Sequence, residues 1–381
     1  MNRFALKGAR IFDGEIMHDG MAAVIADGMI EAVMPADRLG RGVASVDLAG
    51  GLLAPGFIDA QVNGGGGVLI NERPSAARIR HMAEAYRRFG TTGLLPTVIT
   101  DETAIIHAAA RAVAAARREN VPGILGIHIE GPFLDPRRAG AHPPQHIRSV
   151  TPQDVAWLKD LDCGIVLLTV APSHVAPETI RELVQAGIII SLGHSDATAR
   201  EANAALAAGA RGFTHLYNAM SQLQHREPGM VGAALADRDS YCGIIADGHH
   251  VHPTALKVAI AAKPKGRLFL VTDAMPPAAG GPQHFELQGR EIIARNGRLE
   301  LSEGTLAGSI LTMDEALRYC VEVLKVDLSE ALRLASLYPA AFLKLDRELG
   351  RIAPGYRANL VHLTDDLAVT RTWIVGVAAP S

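Results

Sequence analysis

Eight short apolar runs alternate with helical segments through the middle of this 381-residue chain. The segments between several of the runs, such as 75–89, 102–118 and 198–208, carry apolar residues at helical spacing. Continuous apolar strands joined by helices are typical of a parallel sheet, and eight such units predict a closed, TIM-like (β/α)8 barrel of about 250 residues. The predicted strands are 52–60, 93–99, 124–130, 165–170, 188–192, 212–216, 242–246 and 268–272, and two further helices are predicted at 312–325 and 328–343.

The two ends of the chain have a different pattern, in which short apolar runs alternate with turns. Near the N-terminus, residues 22–26 are followed by Asp27-Gly28, which is a strong hairpin signal. Near the C-terminus, strand candidates lie at 358–363 and 372–377. We therefore predict two domains: a small β-sandwich built from residues 1–51 plus 350–381, and a catalytic barrel at 52–349.

Composition excludes several classes of protein. The formal net charge is −3, from 37 Lys and Arg against 40 Asp and Glu, so no field favours nucleic acid or an anionic membrane surface. Cys163, Cys242 and Cys320 are odd in number and far apart, and we expect them to be reduced core residues. No stretch approaches the ~20 apolar residues of a membrane span, and no signal peptide is evident. We expect a cytoplasmic protein.

Polar side chains follow most of the predicted strands at the point where each strand ends. In a barrel these ends form one rim, and that rim carries the chemistry. In the third strand, His128 and Glu130 alternate with two isoleucines, so both polar side chains face the same way. The other strand-end residues are Asp59, Gln61 and Asn63 after the first strand, His194 after the fifth, His215 after the sixth, Asp247, His249 and His250 after the seventh, and Asp273 after the eighth.

Three of these residues predict a metal site. Glu130, His194 and His215 arrive at equivalent depth, and two imidazoles with one carboxylate are a usual ligand set for catalytic zinc with an open water position. Each residue also has a simpler explanation, because a strand-end Glu can face solvent and a single His is more often structural. A buried carboxylate, however, needs a cation to offset the cost of its burial.

Five ordered stretches carry a resemblance to a known family: 55–59 (PGFID), 128–133 (HIEGPF), 191–195 (SLGHS), 214–220 (THLYNAM) and 271–275 (VTDAM). They resemble the N-acetylglucosamine-6-phosphate deacetylases of the amidohydrolase superfamily, and the resemblance covers essentially the whole chain. It implies hydrolysis of the acetamide of N-acetyl-D-glucosamine 6-phosphate to D-glucosamine 6-phosphate and acetate, in amino-sugar catabolism or recycling.

The first strand departs from the wider superfamily, in which a His-x-His pair often binds a second metal. This chain has Gln61 and Asn63 at those positions, and neutral amides are poor ligands for transition metals. Some members of the deacetylase family also lack the pair. The resemblance therefore implies one divalent metal per subunit, expected to be Zn²⁺, held by Glu130, His194 and His215.

The resemblance also implies roles for residues outside the metal set. Asp273 corresponds to the family's catalytic carboxylate, which takes a proton from the metal-activated water and passes it to the departing amine. His142 corresponds to a histidine that binds or polarises the acetyl carbonyl. The family is commonly homodimeric, with phosphate contacts from the neighbouring subunit. The implied substrate-binding residues are Ala141, His142, Asn218, Ala219, Leu306, Ala307 and Gly308, with Arg226 and His250 at the phosphate.

Three alternatives remain open at the level of sequence. The same groups would serve N-acetylgalactosamine 6-phosphate or another N-acyl sugar phosphate. A general amidohydrolase acting on cyclic amides or N-acyl amino acids usually needs the His pair that is absent here. The third alternative is a non-catalytic barrel that serves as an interaction module. Such a protein would be expected to lose metal ligands or the catalytic acid, yet this chain keeps Glu130, His194, His215 and Asp273.

Overall fold

The protein is described by a computed structural model that covers residues 3–40, 42–295, 297–301 and 304–379. Its centre is a sheet of eight parallel strands whose spatial order follows their order in the chain. The predicted (β/α)8 barrel is thereby confirmed. The barrel strands are Phe57–Val62, Thr91–Ile99, Gly126–Glu130, Ile165–Val170, Ile189–Leu192, Gly212–Phe213, Tyr241–Ile244 and Leu268–Leu270.

The barrel closes between its first and eighth strands at the end where the strands finish. A parallel bridge joins Val62 to Ala274, and the amide of Asp273 donates to the carbonyl of Gln61 at 3.0 Å. Below this bridge, Thr272 Oγ1 lies 2.5 Å from Asp59 Oδ2. Because Asp59 is completely buried, desolvation raises the pKa of its carboxyl to about 7. The seam is therefore held by a few polar contacts rather than by a full strand ladder.

Helices surround the barrel, and the three predicted at 75–89, 102–118 and 198–208 are confirmed with slightly shorter bounds. The predicted helix 328–343 is instead two helices separated at Ser336, whose φ and ψ of −133° and −70° are not helical. Pro339, three residues later, has no N–H for a bond to the preceding turn. The α-helices are Ala76–Arg87, Thr103–Arg118, Pro152–Lys159, Pro177–Gln185, Ala199–Ala207, Gly229–Ala236, Pro253–Ala262, Met313–Glu322, Leu328–Ala335 and Leu337–Phe342.

Two sheets made from both ends of the chain pack around a separate small core. One sheet orders the strands Met29–Pro35, Met21–Ala26, Arg3–Lys7 and Ala44–Asp47, and the other orders Val377–Ala378, Val369–Ile374, Leu360–Leu363, Leu52–Pro55, Arg10–Phe12 and Met17–His18. Their shared core includes Leu6, Ile25, Leu53, Leu360 and Trp373. The predicted hairpin at Asp27-Gly28 is present, since both residues have positive φ as its turn requires.

The predicted first strand, 52–60, is wrong as one element. Leu52–Pro55 pairs with Leu360–Leu363 in the terminal sheet, and only Phe57–Val62 belongs to the barrel. The chain passes from one sheet to the other at Gly56, where a Cβ atom would lie 2.2 Å from Thr92 Oγ1.

The domain boundaries predicted above remain a prediction, and their outermost residues, 1–2 and 380–381, lie outside the described part.

A three-stranded antiparallel sheet was not predicted. In the chain it follows the eighth barrel strand and precedes helix Met313–Glu322. It consists of His284–Leu287, Arg290–Arg295 and Arg298–Glu300. Its inward side chains, Leu287, Ile292 and Leu299, pack with Ile99 and Met275. This packing places the small sheet directly beside the rim of the barrel.

Two expectations from composition can be compared with the structure. Cys163, Cys242 and Cys320 are buried and unpaired, as predicted, and burial raises the pKa of each thiol. In the described part of the chain, every helix is too short or too polar to cross a membrane.

Candidate active site

Glu130, His194 and His215 meet at the centre of the barrel rim. Glu130 is the last residue of the third strand, and the two histidines lie two residues beyond the ends of the fifth and sixth strands. Glu130 Oε1 is 3.2 Å from His194 Nε2 and 3.1 Å from His215 Nε2, and the two nitrogens are 2.9 Å apart. The three side chains are almost completely buried.

This geometry fits a divalent metal. Two imidazole nitrogens cannot both offer lone pairs to each other at 2.9 Å without repulsion, whereas a shared cation favours such convergence. Ligands at about 2.0–2.1 Å from a tetrahedral zinc are separated by about 3.3 Å, close to the distances observed. Burial alone would raise the pKa of Glu130, but the hydrogen bonds of His194 and His215 and the charge of His194 hold it well below its usual range.

The backbone around these ligands is held in an unusual conformation. His194, His215 and Asp273 have φ values of 46°, 30° and 52°, in the left-handed region that costs a non-glycine residue about 1 kcal/mol or more. The chain turns sharply there as it leaves each strand. His194 Nδ1 lies 3.0 Å from the carbonyl of Arg138, so its N–H donates there and Nε2 is left available to a metal.

Asp273 lies next to the candidate metal site, where two amides hold its carboxylate. Asn63 Nδ2 donates to Asp273 Oδ1 at 2.6 Å, and Gln61 Nε2 donates to the same oxygen at 3.1 Å. Gln61 also donates to Glu130 Oε1 at 3.1 Å. Burial, together with the nearby charge of Glu130, raises the pKa of Asp273. A carboxyl group with a raised pKa is suited to take up and release a proton.

His142 faces the same centre from the loop after the third strand. Its Nδ1 accepts a hydrogen bond from the amide of Thr100 at 3.3 Å and lies 2.9 Å from Thr100 Oγ1. The proton of a neutral ring is then on Nε2, which lies 3.9 Å from Glu130 Oε2. Burial holds the pKa of His142 well below its usual range, so the ring is a neutral N–H donor.

A cavity of about 390 Å³ opens over these groups. Most of the sequence-predicted site residues line it, namely Asn63, Glu130, Ala141, His142, His194, His215, Asn218, Ala219, His250, Leu306, Gly308 and Asp273. Gln61 and Ala307 lie behind this lining, both nearly without exposure to solvent. Arg226 is exposed and does not line the cavity.

Two arginines that sequence reasoning missed also line the cavity. Arg138 donates twice to Asp196 Oδ1, at 2.9 and 2.7 Å, and Arg137 pairs with Asp135 at 2.8 Å. The Arg138–Asp196 pair ties the loop after the third strand to the loop after the fifth, whereas the Arg137–Asp135 pair lies within the first of these loops. Both arginines stand in sequence between Glu130 and His142, which is the only signal that could have drawn attention to them.

The cavity thus combines a group that could hold a metal, a carboxyl able to exchange a proton and a neutral N–H donor. His250 adds a fourth imidazole to the lining, with Nδ1 held 2.6 Å from Asp247 Oδ2. Such a set can activate water, stabilise a developing negative charge on a carbonyl oxygen and protonate a leaving group. These are the requirements for hydrolysing an amide.

Two family models match the chain: the Amidohydrolase family over residues 52–379 and the NagA composite domain over residues 3–53. The chain is 48% identical over 331 residues to an N-acetylgalactosamine-6-phosphate deacetylase of Shewanella sp. (strain ANA-3), covering 86% of this chain and 83% of that one. It is 38% identical over 366 residues to the N-acetylglucosamine-6-phosphate deacetylase of Haemophilus influenzae, covering 95% of each.

Solved structures agree over the full length. A crystal structure of N-acetylglucosamine-6-phosphate deacetylase from Pasteurella multocida matches with a TM-score of 0.97 and 34% identity, covering 100% of both chains. A mutant deacetylase from Mycobacterium smegmatis, in complex with N-acetyl-D-glucosamine-6-phosphate, matches with a TM-score of 0.92 and 30% identity, again over 100% of both chains.

Proposed function

This chain belongs to the amidohydrolase family, and from that premise we propose that it is a metal-dependent N-acetylglucosamine-6-phosphate deacetylase. It hydrolyses the acetamide of N-acetyl-D-glucosamine 6-phosphate to D-glucosamine 6-phosphate and acetate. The observation that carries this function is the convergence of Glu130, His194 and His215 beside Asp273 in one cavity. The likeness to deacetylases extends over almost the whole chain.

The family and the buried Glu-His-His group imply a divalent metal. When bound, such an ion lowers the pKa of a water molecule and polarises the amide carbonyl. We propose that the ion is zinc and that each subunit holds one. Two nitrogens and one oxygen suit zinc, and the amides of Gln61 and Asn63 are already engaged with Asp273.

Asp273 is proposed to move the proton. Its carboxylate accepts a proton from the attacking water as the oxygen of that water forms a bond to the carbonyl carbon. The carbon–nitrogen bond then breaks, and Asp273 delivers the same proton to the departing amine nitrogen. Asn63 and Gln61 both donate to Oδ1, so they orient the carboxyl group throughout.

His142 is proposed to bind the acetyl carbonyl oxygen. Its Nε2–H faces the candidate metal site and its Nδ1 is occupied by Thr100. A neutral donor fixed in this orientation stabilises the negative charge that develops on the oxygen as water adds. The sugar would lie against Ala141, Asn218, Ala219, Leu306 and Gly308, which line the cavity, with the buried Ala307 behind them.

The phosphate is proposed to lie at His250 and at an Arg226 side chain from a second subunit. Within one subunit, Arg226 is exposed and outside the cavity lining, so the proposed phosphate contact requires the homodimer predicted from the family resemblance. A guanidinium offers permanently charged, paired donors that suit a phosphate. A phosphorylated sugar does not cross an apolar membrane unaided, which supports the predicted cytoplasmic location.

N-acetylgalactosamine 6-phosphate is the second candidate substrate. The 48% identical relative from Shewanella is named for that sugar, and so is a relative from Escherichia coli O157:H7 at 38% identity over 98% of each chain. The two sugars differ only in the orientation of the hydroxyl at carbon 4. The metal, proton-transfer and carbonyl-binding groups would act identically on both.

Proton NMR of the acetyl methyl group tests the function directly. Zinc-loaded protein is incubated with each epimer, and the amide methyl signal is followed as it becomes free acetate. We expect fast release that stops when a chelator is added. Faster turnover of N-acetylgalactosamine 6-phosphate would identify that sugar as the substrate. No release from either sugar, with zinc still bound, would overturn the proposed function.

A further inference from the structure

The tip of the small antiparallel sheet beside the site contacts two chain segments that adjoin His142. Strands His284–Leu287 and Arg290–Arg295 are joined by Gln288 and Gly289. Both turn residues have positive φ, 51° and 78°, as a two-residue hairpin turn requires. The buried side chains of the hairpin pack against barrel residues, so the tip has a fixed place relative to the rim.

Gln288 and Arg290 extend from this tip to two different segments of the site. Gln288 Nε2 donates to the carbonyl of Thr100 at 3.0 Å and to Asp101 Oδ2 at 2.7 Å. Arg290 Nη2 donates to the carbonyl of Ala141. The first segment follows the second barrel strand and the second follows the third, so the tip bridges two neighbouring rim loops.

These two segments are the ones that fix the imidazole of His142. Thr100 contacts Nδ1 through both its amide and its hydroxyl, and Ala141 is the residue immediately before His142. The tip therefore holds Thr100, which orients the ring of His142, and also the backbone of Ala141, which precedes His142. None of these contacts involves the candidate metal ligands.

We propose that Gln288 and Arg290 are positioning residues that align His142 for the reaction. This inference rests on the proposed function, in which His142 Nε2 binds the acetyl oxygen. Misplacing a catalytic group by about 1 Å can cost up to about 100-fold in rate. Because Gln288 is itself exposed and its bonds compete with water, we expect a loss of about 10-fold in kcat for its removal.

Steady-state kinetics of Gln288→Met and Arg290→Met test the alignment. Methionine keeps most of the side-chain length but removes the donors. We expect kcat to fall about 10-fold in each variant, with KM and zinc content close to wild type. Glu286→Gln, an exposed change on the same hairpin, is the matched control and keeps wild-type kcat. In a His142→Ala background, neither methionine variant should reduce kcat further.

A measurement without substrate separates this inference from the proposed function. In protein labelled with ¹⁵N-histidine, the His142 ring signals are assigned by their loss in His142→Ala. We expect them to shift or broaden in Gln288→Met and to stay in place in Glu286→Gln. Unchanged His142 signals in both methionine variants, or losses in kcat that persist without His142, would overturn the alignment role. A raised KM with wild-type kcat would instead assign the hairpin to substrate contact and also overturn it.

Discussion

Asn63 and Asp273 are joined by a 2.6 Å hydrogen bond across the seam where the first and eighth barrel strands meet. In many relatives of the wider superfamily, position 63 would carry a metal-binding histidine. Here its amide donates to the carboxyl proposed to transfer protons. The proposed absence of a second metal and the orientation of the carboxyl proposed to transfer protons are therefore linked in one pair of residues.

Replacing Asn63 with Leu should lower kcat about 10- to 100-fold, the usual effect of losing a group that orients a catalytic side chain. The donor from Asn63 lowers the pKa of Asp273, so its removal raises that pKa. Since Asp273 must begin as the carboxylate, the acid limb of the kcat profile should move to higher pH. A pH–rate profile with an unmoved acid limb would contradict this.

Asp273→Asn should abolish most turnover while leaving the metal in place. General acid and base catalysis contributes about 100- to 10,000-fold, and the amide can perform neither step. The three candidate ligands do not depend on this carboxyl. Turnover by NMR and metal by elemental analysis should be measured on the same sample; a variant with normal metal and most of its activity would refute the assignment.

Metal analysis should find about one divalent ion per chain after dialysis, and Glu130→Gln should lose most of it. Glutamine nearly preserves the shape of Glu130 but offers a neutral oxygen to a site where both neighbours are imidazoles. Glu291→Gln, an exposed change outside the cavity lining, is the matched control. Two ions per chain in stoichiometric amounts would show that Gln61 and Asn63 do not close the second site.

Arg226→Ala should raise KM for the phosphorylated sugar far more than for its unphosphorylated form, because only the former presents the dianion that a guanidinium binds. Equal effects on both sugars would exclude a phosphate contact. Mixing subunits tests where the arginine acts. Mixed dimers of Arg226→Ala and Asp273→Asn contain one complete site only if Arg226 serves its partner, so activity should return on subunit exchange.

Stability should depend on the proton of Asp59. Its pKa is about 7 in the folded chain against about 3.9 in an unfolded one. Between about pH 4 and pH 7, Asp59 therefore holds a proton in the folded state that it has lost in the unfolded state. The stability that this proton contributes is lost as the pH rises through that range. Relative to Asp59→Asn, the wild-type free energy of unfolding should fall by about 1 kcal/mol per pH unit between pH 4 and 7. Denaturant titrations of both proteins at several pH values measure this free energy. If it changes equally with pH in the two proteins, the raised pKa of Asp59 is disproved.

The barrel and its candidate metal ligands could be predicted because their signals are local. The alternation that places His128 and Glu130 on one face is set by strand geometry, and the positions of His194 and His215 follow from strand ends in a barrel. The antiparallel sheet at 284–300 could not be predicted as readily. Its strands are half-exposed and mixed in polarity, and they are stabilised by Ile99 and Met275, which are distant in sequence or separated by a loop.

Other differences from prediction have equally physical causes. The stretch 52–58 is apolar throughout, and Pro55-Gly56 does not by itself indicate that Gly56 ends one sheet and begins another, since that break depends on how closely Thr92 approaches. Arg137 and Arg138 look like solvent-exposed loop residues in the sequence. Only the position of Asp196, 58 residues beyond Arg138, reveals that they border the cavity.

The seam between the first and eighth strands also divides the candidate site into two parts. All three candidate metal ligands lie at the ends of the third, fifth and sixth strands, and the last of them in the chain is His215. Asp273 and its two amide partners come together only when the eighth strand docks against the first. The group that could hold a metal and the carboxyl proposed to transfer protons therefore lie on different parts of the barrel wall, and only the second depends on contact between the first and last strands.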